Sequence, residues 1–286
     1  MSDMLVKKSA GNTAGDTAGG TAPDGESVAR LASLRTPGWR SSLTALVVVL
    51  VLGVSGYASE VSLLTFVEGL PNIADFIGRM FPPDPAELGI ALDLMGQTLA
   101  IAVIGTAVGV VVAIPWGLLG ARSVFPETWL HHTARSSINL VRAIPELMWA
   151  LLFVSAVGLG PLAGTLAIAV GSAAGMARLF ADIFEAADLR AWEAAAASGA
   201  SRLQRITWVL LPQNLPTLTS YTLLLLDGNV RAASLLGLVG AGGIGMELNQ
   251  QLRLFDYGNV LTIVLVVLAV VVLLDRISSY LRKRLV

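Results

Sequence analysis

The 286-residue chain contains no cysteine. A disulfide framework, a thiolate nucleophile and a cysteine-ligated metal are therefore excluded. Lysine is nearly absent: only Lys7, Lys8 and Lys283 occur, and none follows a glycine. A phosphate-binding loop needs Gly-Lys-Ser/Thr, so no ATP-hydrolysing site belongs to this chain. Charge of either sign is scarce, with 14% Asp, Glu, Lys and Arg and a net charge of −1. A soluble domain carries about 25%, and a nucleic-acid partner would call for a basic field. The two histidines are adjacent, His131 and His132, without an organised acidic cluster, so they read as a solvated or interfacial pair and not as a metal site. We expect no metal, no cofactor and no catalytic residue; an embedded enzyme would have little to work with.

What is present is apolar. Hydrophobic residues make up 55% of the chain, and the mean hydropathy is +0.72. A membrane helix needs about 20 mostly apolar residues. Six continuous runs are expected to be all-α spans: Ser42–Tyr57, Leu88–Leu119, Glu146–Gly158, Leu162–Ala177, Thr217–Leu238 and Tyr257–Leu274, of which the first, third and fourth are short and can extend into their flanks. A barrel is excluded because its strands would alternate over about ten residues. With both termini cytoplasmic, all but Arg79, Arg231 and Arg253 of the 19 basic residues fall inside, as the positive-inside bias demands.

Three regions follow. Residues 1–40 are rich in Gly, Thr, Ala and Asp without apolar periodicity and read as a disordered cytoplasmic tail; no apolar run follows Lys7 and Lys8 closely enough for a signal peptide. Residues 41–87 hold the first span and an outer segment. There Leu64, Val67, Phe76 and Ile77 predict a short interfacial helix, ended by Pro82, Pro83 and Pro85. Residues 88–286 form a core with a cytoplasmic loop at 181–216.

That loop carries the most informative pattern. Asp182 to Ser198 has high helix propensity with an Ala-rich centre, Gly199 permits a sharp turn, and a second helix can start from Ala200. The spacing is Glu193-Ala194-Ala195, three residues, Gly199, nine residues, then Val209-x-Leu211-Pro212. This resembles the EAA loop of ABC importer permeases, with Val209 where the family has Ile. The resemblance extends over residues 90–286. Arg142-Ala143-Ile144-Pro145-Glu146, the run 150–164, and Asn229 to Gly245 are similar to permeases of the phosphonate/phosphite type.

The resemblance implies a type I importer in a bacterial cytoplasmic membrane. Two copies of this chain would pair with two cytoplasmic ATPase subunits, and an extracytoplasmic binding protein would deliver a phosphorus oxyanion. Glu193, Ala194, Ala195, Gly199, Leu211 and Pro212 would contact the ATPase. A permease for another small solute, or a stand-alone secondary transporter, are the alternatives; the latter would need buried ion-coupling groups, and few ionisable residues lie in the spans.

Those few are Asp93, Asp227 and Arg231. Arg231 lies one helical turn beyond Asp227 and can pair with it, or can give a passing oxyanion a transient cationic partner. Asn229 and Ser234 are further candidates for the path, and equally for helix–helix hydrogen bonds. Gly240, Gly242, Gly243 and Gly245 satisfy G-x-G-x-x-G, yet no strand precedes them, which argues against a dinucleotide site. They read as an outer gate or as tight packing. Gly105 and Gly109 form a small-xxx-small face.

Overall fold

The computed structural model describes residues 39–59 and 62–285. The tail expected at 1–40 lies outside them, except that Trp39 and Arg40 already belong to the first helix. Every regular element among the described residues is helical. The chain divides into two compact units, Met1–Leu70 and Pro71–Val286.

In the first unit, α1 (Trp39–Ala58) carries a continuous apolar stretch from Ala45 to Val54, and α2 (Leu63–Met80) begins. The division falls at Pro71 inside α2, the outer helix expected from its apolar spacing. The second unit contains the end of α2, a 3-10 turn (Pro85–Glu87), α3 (Leu88–Leu119), α4 (Thr128–Arg142), α5 (Glu146–Val157) and α6 (Pro161–Ala186). It continues with α7 (Arg190–Ala197), α8 (Arg202–Arg205), α9 (Leu211–Leu236), α10 (Ile244–Arg253) and α11 (Tyr257–Leu285).

Among the described residues, five helices are long and apolar enough to cross a membrane, or up to six if one bent pair counts as a span. That pair bears on the third expected span, which is short by itself. Residues 146–157 make 12 residues of helix, about 18 Å at 1.5 Å per residue, short of a hydrocarbon core about 30 Å thick. α4 precedes α5 at a bend of 81°. Pro145 causes the break: it lacks an N–H and disfavours a helical Ile144, and its own ψ is 146°. The fourth span runs nine residues past its expected end, to Ala186.

The packing is organised by α3 against α6. Gly105, Gly109, Ala113 and Gly117 stand four residues apart, so one ridge of α3 has almost no side chain. A Cβ on Gly109 would sit 2.5 Å from Ser172 Cβ and 2.9 Å from the Ala169 carbonyl oxygen; one on Gly117 would sit 2.9 Å from the Ala177 carbonyl. Helix backbones in lipid associate through van der Waals contact, which small residues bring close. The opposite face of α3 exposes Val103, Ile104, Val108, Val111 and Val112. An apolar face of this extent suits lipid and not water.

A buried polar knot lies beside the ridge. The Asn229 side chain of α9 donates to Thr106 Oγ1 of α3 at 2.7 Å and to Ser172 Oγ of α6 at 2.8 Å. Thr106 in turn donates to the Ala102 carbonyl of its own helix. Around these contacts one cluster gathers Met95, Ile101, Ile168, Val230, Ile244 and Ile263. A second gathers Ile138, Met176, Phe180, Phe184, Trp192 and Leu218 toward the 187–210 segment.

Gly109→Val should lower stability by about 1–3 kcal/mol through overpacking, read as an earlier thermal midpoint in detergent. Gly96→Ala, where an added Cβ meets nothing within 4 Å, should leave the midpoint unchanged or raise it.

Candidate coupling surface and buried polar groups

α6 ends where Ala187 turns extended, with ψ 149°. The expected helix over 182–198 is therefore interrupted at 187–189. Asp188 closes the gap by accepting the Arg190 N–H at 3.0 Å and its guanidinium Nε at 3.0 Å. These contacts, the guanidinium first, hold the Asp188 carboxyl below its usual range.

α7 stops in a double-bonded glycine turn. Gly199 has φ +86°, its N–H bonds the Ala196 carbonyl at 3.0 Å, and the Ala200 N–H reaches back to Ala195 at 3.1 Å. This is the Schellman arrangement, which a left-handed residue requires and which satisfies otherwise orphaned carbonyls. The next residue begins a capping box. Ser201 Oγ accepts from the Gln204 N–H, and Gln204 Oε1 accepts from the Ser201 N–H at 2.8 Å. The turn between α7 and α8 is thus specified residue by residue from Ala195 to Gln204. A wide π turn, Ile206–Leu210, joins α8 to α9.

The segment is anchored from beneath. Trp192 is buried among Phe180, Phe184 and Leu210, and the Arg205 guanidinium lies 4.6 Å over its ring. Arg202 lies 5.0 Å over Phe125 and pairs with Glu127 at 3.2 Å. Glu127 is held below the usual carboxylate range, by its own backbone N–H first and then by Arg202. Behind this, Arg135 bridges Asp182 and Glu185 at 3.0 Å each and donates its Nε to the Gly120 carbonyl at 3.0 Å. The α6 end is thereby tied to α4 and to the 120–127 turn. Glu193, Ala194 and Gly199 remain exposed, Ala195 is half-buried, Leu211 packs partly inward, and Pro212 is exposed in the first turn of α9. Glu193, Ala194, Ala195 and Gly199 therefore stand together on one short helix and its turn, whereas Leu211 and Pro212 lie past the π turn. Trp192 and the Arg135 bridge escaped the sequence reading. Trp192 is a single aromatic among alanines, and Arg135 meets partners about fifty residues away, which no local period announces.

The polar residues expected along a substrate path separate into different environments. Asn229 is buried and uses its amide N–H groups between helices. Ser234 donates to the Val230 carbonyl at 3.0 Å in its own helix. Arg231 pairs with Asp227 at 2.8 Å, the arginine side chain 53% exposed and the aspartate 7%. The other Asp227 carboxylate oxygen has no hydrogen-bond partner among the described residues.

The glycine run lies between the 3-10 turn Gly237–Val239 and α10, a helical setting with none of the strand–turn–helix context of a dinucleotide site. Gly240, Gly242 and Gly243 have φ of +90°, +85° and +75°. A Cβ on Gly242 would stand 2.7 Å from the Pro161 nitrogen, and one on Gly245 would strike the Ser234 carbonyl. Gln97 and Thr98 of α3 accept from the Gly243 and Ile244 N–H groups at 2.9 and 2.8 Å, capping α10. No group of three or more His, Asp or Glu able to hold a metal occurs among the described residues. His131 is buried near Glu185, whereas His132 is exposed.

Apolar outer faces, small-residue helix contacts and one polar surface segment define a multi-helix membrane protein. The chain belongs to the family of binding-protein-dependent transport system inner membrane components, whose model matches residues 113–286. It is 37% identical over 248 residues to the phosphite transport system permease protein PtxC of Stutzerimonas stutzeri, covering 86% of this chain and 90% of the relative. It is 41% identical over 229 residues to the phosphate-import permease protein PhnE of Mycolicibacterium smegmatis, covering 80% of this chain and 42% of that longer protein. In fold it is similar to a chain of the inward-facing MetNI methionine ABC transporter, with TM-score 0.63, 23% identity, and coverage of 71% of this chain and 99% of that one.

Asn229→Leu should lower the thermal midpoint by an amount equal to about 1–3 kcal/mol, because two buried hydroxyls lose their shared partner. Thermal unfolding in detergent measures it; an unchanged midpoint would show that the three-helix knot contributes nothing.

Proposed function

We propose that this chain is the membrane permease subunit of an ATP-driven importer for a phosphorus oxyanion, phosphite or a phosphonate. Kinship with permeases named for phosphite and phosphate import supports the cargo. The observation that carries the mechanism is the α7–Gly199–α8 surface, where Glu193 is exposed on a helix whose other face is bolted to the bundle by Trp192. An ATPase subunit docks there. Because Arg205 stacks on Trp192 and continues through the π turn into α9, a push on α7 reaches the helix that carries Asp227 and Arg231. Two copies of this chain, two ATPase subunits and an extracytoplasmic binding protein make up the complex. The distribution of arginines supports six crossings with both termini cytoplasmic.

Glu193→Arg or Gly199→Leu should abolish co-purification with the ATPase and coupled ATP hydrolysis while the permease itself still folds. Survival of both properties would remove the docking assignment.

Arg231 serves as a cationic partner for the passing oxyanion while neutralising Asp227. Arg231→Gln alone also strands a buried carboxylate, which is destabilising in its own right. The informative comparison is with Arg231→Gln combined with Asp227→Asn. If pairing were the whole role, the double substitution would restore import of phosphite into proteoliposomes; we expect it to restore thermal stability and not import.

A further inference from the structure

A cleft of about 570 Å³ opens between the end of α4, the last turns of α6 and the middle of α9. Its charged lining is Arg142, Arg178 and Asp182. Asp182 is already occupied: Arg135 takes one carboxylate oxygen at 3.0 Å, and Arg178 Nε lies 3.3 Å from the other. Arg178 makes no other ion pair or side-chain hydrogen bond among the described residues. Arg142 makes no ion pair or side-chain hydrogen bond among the described residues. Tyr221 adds a hydroxyl that is likewise unbonded among them. The remaining wall is apolar or bare; Gly175 and Gly228 face the space, and a Cβ on either would meet nothing within 4 Å.

Two guanidiniums and a phenol against an apolar wall make a site for a compact, doubly charged tetrahedral anion. Guanidinium N–H groups match the spacing of phosphorus-bound oxygens, and the low-dielectric wall strengthens the attraction. The cleft also lines up with the paired charges above it. Tyr221, Leu224 and Gly228 recur at helical spacing on one face of α9, and Arg231 follows Gly228 by three residues, about 4.5 Å along the axis.

We propose that this cleft is the inner station of the phosphorus-oxyanion path: an anion leaving Arg231 is received by Arg142 and Arg178 before release. The proposal rests on the importer reading above and adds to it a location and a recognition chemistry. Arg178 is half-committed to Asp182 and Arg142 is exposed, so the station holds its anion transiently, as release requires.

The test uses the complete complex of permease, ATPase and binding protein in proteoliposomes, with radiolabelled phosphite and methylphosphonate as probes. Arg142→Gln is the main variant, because Arg142 has no partner to lose among the described residues. Import should fall roughly tenfold or more, the scale of one lost charge-assisted hydrogen bond, while binding-protein-stimulated ATP hydrolysis persists. Arg142→Lys should recover most of the import, and Arg178→Gln should act in the same direction. Unchanged import by Arg142→Gln, or loss of ATP hydrolysis together with import, would overturn the station. Import of neither probe by the unaltered complex would overturn the phosphorus-oxyanion reading itself and the station with it.

Discussion

Everything in the second unit depends on how closely α3 and α6 approach. Water does not drive two apolar helices together inside lipid, so contact must come from shape and from buried hydrogen bonds. Gly105, Gly109 and Gly117 supply the shape by removing side chains along one ridge. Once the backbones are close, Thr106 and Ser172 come within reach of one amide, and Asn229 draws α9 onto the pair. A bulkier residue at Gly109 would separate the hydroxyls as well as the helices.

The two ends of this bundle solve different problems. At the glycine run, backbone fills the space: left-handed glycines thread between Pro161 and Ser234 while Gln97 and Thr98 satisfy the start of α10. At the other end, charge and aromatic stacking take over. Arg135 ties α4 to α6, Arg205 covers Trp192, and Arg202 reaches Glu127 and Phe125. The first arrangement is dense, with nowhere for an added methyl group. The second is a polar scaffold that leaves Glu193 and its alanine neighbours facing outward.

Local chemistry was readable at the 190–205 turn because every bond that shapes it joins residues within five positions: Gly199 to Ala196, Ala200 to Ala195, Ser201 to Gln204. Apolar run length located the spans for the same reason. It fell short at residues 146–158, as the shortness of the run itself indicated: twelve helical residues cannot cross a bilayer, and a bend at Pro145 separates them from α4. It also failed at 187–189, where high helix propensity yields to the turn closed by Asp188 and Arg190. Asn229 read as a path residue or an interhelical bond; its two partners lie 123 and 57 residues away, beyond any local pattern.

The sequence by itself determined that the chain is helical and membrane-borne, and where a sharp glycine turn presents an exposed acidic helix. These are matters of composition, run length and short-range hydrogen bonding. Tertiary structure alone decided which polar groups are spent and which are free. Among the described residues, Asp227, Asn229, Arg135 and Asp182 are committed to partners, and Arg142 is not. The physical reason is that commitment is a matter of distance between helices. That distance is set by glycines on α3 that carry no chemistry of their own.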